Sequence, residues 1–277
     1  MLSVGKIVRK SQPSLFWCMR SLSKAKREAI FTLFAFCRHL DNIIQSPMSD
    51  EEKIELFSAW QEELDNIYDK KVPATNIGRK IYKNCMRFNL PKELMVEILN
   101  SALLNATSPI QAPENDVFEK YIYGYAVVPF YLSLMIIGDT RPSIREELAK
   151  SLGNAIIITY ILRDIKDDAL NNRLYIPKEM LEQSGVILGE TPRTVVESKY
   201  LSNARELLAQ RAEKGYSRAN RILSKMNKNN MLTLHFIKNV GEIQFNMMKE
   251  RGWEVISPKP KVGFWKRLHI AFNTIFK

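Results

Sequence analysis

Asp164 and Asp168 stand four residues apart in Arg163-Asp164-Ile165-Lys166-Asp167-Asp168, with Asp167 three residues from the first. On a helix that spacing stacks two carboxylates on one face. Like charges so placed repel and weaken the helix. The arrangement makes sense when a divalent cation or a diphosphate–magnesium cluster sits between them, because hard cations take oxygen ligands. The other reading is a solvated charge cluster ending a helix, paired with Arg163 and Lys166. A second stretch shifts the balance: residues 30–45 form a strongly apolar run that acquires Arg38 and, three residues later, Asp41. Two such helices facing one cavity would set Asp41 opposite Asp164 and Asp168, with both arginines nearby. Magnesium held by carboxylates binds a diphosphate and stabilises it as a leaving group, while Arg or Lys neutralises the remaining charge. A cavity lined by Phe, Tyr and Leu would hold a long apolar tail, and aromatic faces would steer a carbocation.

The elements that must position these groups are legible from caps and periodicity. Ser23 and Ser46-Pro47 bracket a helix over residues 24–44, and Ser49-Asp50-Glu51-Glu52 caps another running to about Tyr68. Further helices are predicted over 75–88, from Pro91 to before Ser108-Pro109, and over 117–137 with a kink at Val128-Pro129. The rest follow from about Ser143 through the paired aspartates, then over 178–183, 194–223 and 229–251. No strand is required and no heptad is sustained, so the chain reads as all-α and globular.

Composition narrows the partners. The 277 residues are 45% hydrophobic, enough for a large core, and no apolar run is expected to be long enough to span a membrane. Three cysteines and three histidines show no metal-ligand spacing. The net charge of +11 sits at the ends: residues 1–27 carry seven Lys or Arg and residues 258–277 carry five, with no acid in either. A neutral body with basic ends argues against a nucleic-acid face and suits an anionic surface. The domains read as a basic extension over 1–12, a helical domain over 13–257 and a basic amphipathic tail over 258–277. In the tail, Ser257-Pro258-Lys259-Pro260-Lys261 reads as a linker. After it, Phe264, Trp265, Leu268, Phe272, Ile275 and Phe276 recur on one face, the pattern of a helix lying on an anionic membrane. A last helix docked on the core is the other reading.

Phe34-Ala35-Phe36-Cys37-Arg38-His39-Leu40-Asp41 resembles the first aspartate motif of the squalene/phytoene synthase family, the head-to-head trans-prenyl diphosphate synthases. Leu162-Arg163-Asp164-Ile165-Lys166-Asp167-Asp168, with Asn172-Arg173-Leu174-Tyr175-Ile176-Pro177 after it, resembles the second. The resemblance covers roughly residues 12–255. It implies a single-domain isoprenoid-synthase-type helical bundle around a central cavity. It also implies Mg2+-dependent condensation of two prenyl diphosphates, typically farnesyl diphosphate, through a cyclopropyl intermediate such as presqualene diphosphate. By the same resemblance Asp41, Asp164 and Asp168 are magnesium ligands, and Arg38, Arg163, Arg173 and Phe34 contact the substrate. Tyr175 lies near the reacting carbons, and Tyr121 or Tyr123 lines the cavity. The compartment it suggests is cytoplasmic, peripheral on the inner membrane face, or the mitochondrial matrix side in a eukaryote.

The chain departs from the family pattern at Asn42 and Gln45, where aspartates are usual, and at Phe34, usually tyrosine. Ile157 and Tyr160 replace Gln and Asn, and residues 125–130 are bulkier than usual. Two outcomes stay open: a working prenyltransferase, or a member without catalysis that binds a protein partner, as a mitochondrial complex I assembly factor of this fold does.

Overall fold

Hydroxyl side chains start three of the first four helices among the described residues. Ser23 accepts the amide of Lys26, Ser49 and Glu52 form a reciprocal capping box, and Thr75 accepts the amide of Gly78. A computed structural model of the chain describes Met19, residues 22–108, 110–138, 140–187, 191–226 and 231–263, and Ile270. Among these residues every regular element is helical: α1 (Lys24–Ile44), α2 (Asp50–Tyr68), α3 (Asn76–Phe88), α4 (Lys92–Thr107), α5 (Asn115–Ile122), a π turn (Tyr123–Val127), α6 (Val128–Ile137), α7 (Pro142–Leu170), α8 (Lys178–Gln183), α9 (Pro192–Glu197), α10 (Leu201–Leu223) and α11 (Leu232–Glu250). Extended backbone pairs at one bridge, Gln111 with Leu174, among the described residues. The all-α reading holds.

The 29-residue α7 is the axis. Leu148 to Leu162 is buried on almost every side, with α10 along one flank and α6, the π turn and α11 around the others. A helix that is apolar all round is one that neighbours surround. Gly153 lets the π turn come close, since a Cβ there would lie 3.1 Å from the Val127 Cα. The π turn itself answers Pro129. That residue has no N–H, and in α register its ring would collide with a carbonyl one turn back. The chain widens the turn just before it, and the Val128 amide donates to the Tyr123 carbonyl five residues away.

Three expectations need correcting. The run Asn115–Ile137 is long and apolar enough to cross a membrane by composition, against the reading that no such run exists. Its apolar character is accounted for by packing against α4 and α7. The helix expected over 194–223 breaks at Ser198–Tyr200. Ser198 is extended, and its hydroxyl takes the Tyr200 amide that would otherwise bond within the helix. The segment read as a linker after Ser257 folds back on the body, with Pro260 and Val262 buried. The basic extension over 1–12 and the amphipathic face from Phe264 to Phe276 lie outside the described residues.

Candidate active site

The last turns of α7 present Arg163, Asp164, Asp167 and Asp168 at a polar mouth. Arg163 grips Asp164 with two nitrogens, at 3.0 Å and 2.5 Å, and its guanidinium lies 4.4 Å from the centre of the Tyr160 ring. Gln244 of α11, buried, accepts a further bond from Arg163 at 3.4 Å. Lys259, from the folded-back segment, reaches Asp164 at 2.6 Å and Asp167 at 2.5 Å. Burial would raise the Asp164 carboxyl. The hydrogen bonds and charges of Arg163 and Lys259 outweigh it and hold that carboxyl below the usual range.

Asp168 has no such hydrogen-bonded escort, and the charges of Lys259 and Arg173 offset its burial only in part. Burial first, and the charge of Asp164 second, push its carboxyl up to about 7. The unfolded chain releases this proton near 3.8, so the folded state binds more protons between the two values and loses stability as pH rises through that window. In chelator, Asp168→Asn is therefore expected to stabilise the protein by ~1–2 kcal/mol at pH 7.5, after allowance for solvent screening, and to flatten the pH slope. Denaturant unfolding at pH 4, 6 and 7.5 checks this; a variant no more stable than wild type at pH 7.5 contradicts it.

From Asp168 a stack of phenol rings leads to the other acidic helix. Tyr175 lies 4.9 Å from Tyr121, and Tyr121 lies 5.1 Å from Tyr125, centre to centre and nearly parallel. Tyr125 then donates to Asp41 Oδ1 at 2.5 Å. Tyr175 is turned inward by the bridge beside it, where the Leu174 amide donates to the Ile110 carbonyl and Ala112 donates back to Leu174. Its hydroxyl shares bonds with Asn105 of α4, at 3.2 Å and 3.4 Å, while Arg173 donates to the Asn105 carbonyl at 3.5 Å. Burial, then neighbouring charge, raises Tyr121 and Tyr125 well above the usual phenol range, so both keep their protons.

Below the rings is an apolar chamber of about 280 Å³. Phe34 and Cys37 of α1, Phe130 of α6, Ile157 and Tyr160 of α7 and Val240 of α11 are among its walls, and Tyr125 stands at its neck. Burial, reinforced by Asp41, pushes the Cys37 thiol up to about 12, which keeps it an inert wall group.

The structure thus gathers Arg163, Asp164, Asp168, Arg173, Tyr175 and Tyr121 at one place, and puts Phe34 in the chamber wall. Arg38 lies on α1 three residues from Asp41 with its side chain exposed. Tyr123 is not with them: it is 42% exposed and faces a shallow groove beside Leu94 and Tyr131. Helical geometry gives the reason, because residues four apart share a face and residues two apart do not. That rule would also have found Tyr125. Lys259 and Asn105 carried no such signal, as they meet Asp164 and Tyr175 only through the fold.

Among the described residues no three His, Cys, Asp or Glu side chains form a metal-holding group. The expected cluster of Asp41, Asp164 and Asp168 is not formed, because Asp41 is bound to Tyr125 at the far end of the ring stack. Gln45, which cannot serve as a charged ligand, is exposed one turn further on. Asp164 and Asp168 do fit a magnesium ion that arrives on a diphosphate, since magnesium commonly uses one or two carboxylates and completes its shell with phosphate oxygens and water. The unneutralised charge at Asp168 is what such an ion would relieve.

An all-α bundle with an acidic and basic mouth beside an apolar chamber suits a substrate with a charged head and an apolar tail. Comparison takes this further: the chain belongs to the squalene/phytoene synthase family, whose model matches residues 8–265. It is 30% identical over 211 residues to a presqualene diphosphate synthase of Sinorhizobium fredii, covering 76% of this chain and 74% of that one. A presqualene diphosphate synthase of Zymomonas mobilis is 28% identical over 250 residues, covering 90% of this chain and 84% of the other. Among solved structures, a dehydrosqualene synthase in complex with ligand superposes with a TM-score of 0.84 at 22% identity, covering 98% of this chain and 94% of that one. A squalene synthase from Alicyclobacillus acidocaldarius superposes at 0.79 and 19% identity, covering 90% and 93%. At those identities the structures speak for the fold.

Proposed function

We propose that the protein joins two farnesyl diphosphates head to head, with presqualene diphosphate as product. The observation that carries this reading is the junction of mouth and chamber. Tyr125 and Tyr160 line the apolar cavity, and the same two rings touch Asp41 and Arg163. A substrate with a charged head and a long apolar tail matches that junction, and the names of the curated relatives support it.

Arg163, Arg173 and Lys259 supply positive charge for the diphosphate groups, and Asp164 orients Arg163 and pairs with the ammonium of Lys259. Magnesium bound at Asp164 and Asp168 would neutralise the diphosphate further and make it a better leaving group. One C1–O bond breaks, and its electron pair leaves with pyrophosphate. The double bond of the second substrate attacks that C1, and loss of a proton closes the cyclopropane. The faces of Tyr121, Tyr125 and Tyr175 shield the cation from water, and their protonated hydroxyls do not capture it as phenolates. The names of the matched relatives give no support to a non-catalytic binding role.

Incubating purified protein with labelled farnesyl diphosphate and magnesium is expected to give labelled presqualene diphosphate and pyrophosphate in equal amounts. No conversion of farnesyl diphosphate, with the protein shown to be folded, would end this reading.

A further inference from the structure

Arg205 of α10 is 1% exposed, yet no carboxylate forms an ion pair with it among the described residues. Two of its three guanidinium nitrogens are spent on carbonyls, and the third, Nε, is buried without a hydrogen-bond partner. One nitrogen donates to Trp253 and, at 3.3 Å, to Val255; another donates to Leu162 at 3.1 Å. Arg251, at the end of α11, adds bonds to Val255 at 3.1 Å and to Pro258 at 2.5 Å. A buried cation with no ion-paired anion is costly, and the charge of Arg251 beside it adds to that cost while the charge of Glu254 offsets part of it. Two arginines converge on the backbone of residues 253–258 and fix its path together with the packing of Trp253 and Ile256 against the core.

That path ends one residue before Lys259, whose ammonium meets Asp164 and Asp167. The third acceptor of Arg205, Leu162, lies two residues before Asp164 on α7. Arg205 therefore grips both sides of one contact: the helix that carries the acids and the strap that carries the lysine. Arg251 pins the same strap from its other edge. We infer that Arg205 and Arg251 are positioning residues that deliver Lys259 to the polar mouth, where its ammonium helps bind the diphosphate of the substrate. The use of Lys259 rests on the function proposed above; its delivery by the two arginines rests on the geometry alone.

Two measurements on the full chain separate these. Trypsin reports the strap: the Lys259–Pro260 bond resists it, whereas cleavage after Lys261 needs the strap, anchored by buried Val262, to come loose. Arg251→Met and Arg205→Met are expected to speed that cleavage about tenfold, the equivalent of losing one charge-assisted hydrogen bond. Lys259→Met should change it less than about twofold, since the lysine is cargo and not anchor. Calorimetry with inorganic pyrophosphate reports the mouth. All three variants should bind about tenfold more weakly, and Arg251→Met with Lys259→Met should be no weaker than Lys259→Met alone.

Circular dichroism identifies any variant that fails to fold. Arg251, half-buried at a helix end, is the safer of the two arginine sites. The inference is overturned if Arg251→Met leaves the cleavage rate unchanged, if Lys259→Met alone frees the strap, or if the pyrophosphate losses multiply in the double variant. Wild-type protein that fails to turn over farnesyl diphosphate while showing the expected cleavage and pyrophosphate pattern would sink the proposed reaction and leave the positioning role standing.

Discussion

Asp164→Asn protein is expected to lose its condensing activity by about 10²–10³-fold, the scale seen when a preorganised group of a charge-stabilising site is removed. The amide keeps the shape of the carboxylate and drops its charge. Arg163 then loses a two-pronged partner, Lys259 keeps only Asp167, and a diphosphate-borne magnesium would lose one of the two carboxylates proposed to hold it. Stability should move little, because the site lies at a helix end, half-open to solvent. Steady-state rates with labelled farnesyl diphosphate, together with a melting curve, check both halves. A variant with more than about a tenth of wild-type turnover would mean that Asp164 is a structural partner of Arg163 and no part of the chemistry.

Gly215→Val is expected to remove about 3 kcal/mol or more of stability, which for a chain of this size lowers the melting temperature by roughly 10 °C. Gly215 lies where α10 packs directly on the backbone of α7. A Cβ there would be 2.7 Å from the Ser151 carbonyl oxygen and 3.0 Å from the Ala155 Cβ. Neither obstacle can swing aside, since one is helix backbone and the other the shortest side chain that has a Cβ. The helices must separate, and α7 carries Asp164 and Asp168, so the site should suffer with the fold. Thermal unfolding followed by circular dichroism decides; a fall of less than about 1 kcal/mol would show that the two helices have room to spare.

What was legible in the sequence was local. Ser23 and Ser49 mark helix starts by chemistry that acts within three residues, so α1 and α2 begin where they were expected. The stacking of Asp164 and Asp168 follows from helical pitch alone. The apolar middle of α7 announced a helix surrounded by others.

What was not legible depends on partners far along the chain. Lys259 sits between two prolines and looks like linker until the fold sets it against residues 95 positions earlier. The bond between Asp41 and Tyr125, 84 residues on, leaves no trace in the neighbourhood of either. The break at Ser198 turns on one hydroxyl choosing a nearby amide, a contest that propensity within a long amphipathic run does not resolve. Tyr123 is different: pitch alone sets it on another face from Tyr121, and only the family resemblance brings it into the site.

The wide turn at Tyr123–Val127 spends one residue more than a regular helix would need for the same advance along its axis. Each residue of helix is worth about 100° of rotation. A relative shorter by one position here, with Pro129 absent, would keep the same aromatic composition and yet aim the side chain at 125 away from Asp41. Single-residue gaps usually mean little in loops. In this helix one would decide whether the first acidic group is held by a phenol or left free, and with it how much metal-binding capacity that half of the molecule retains.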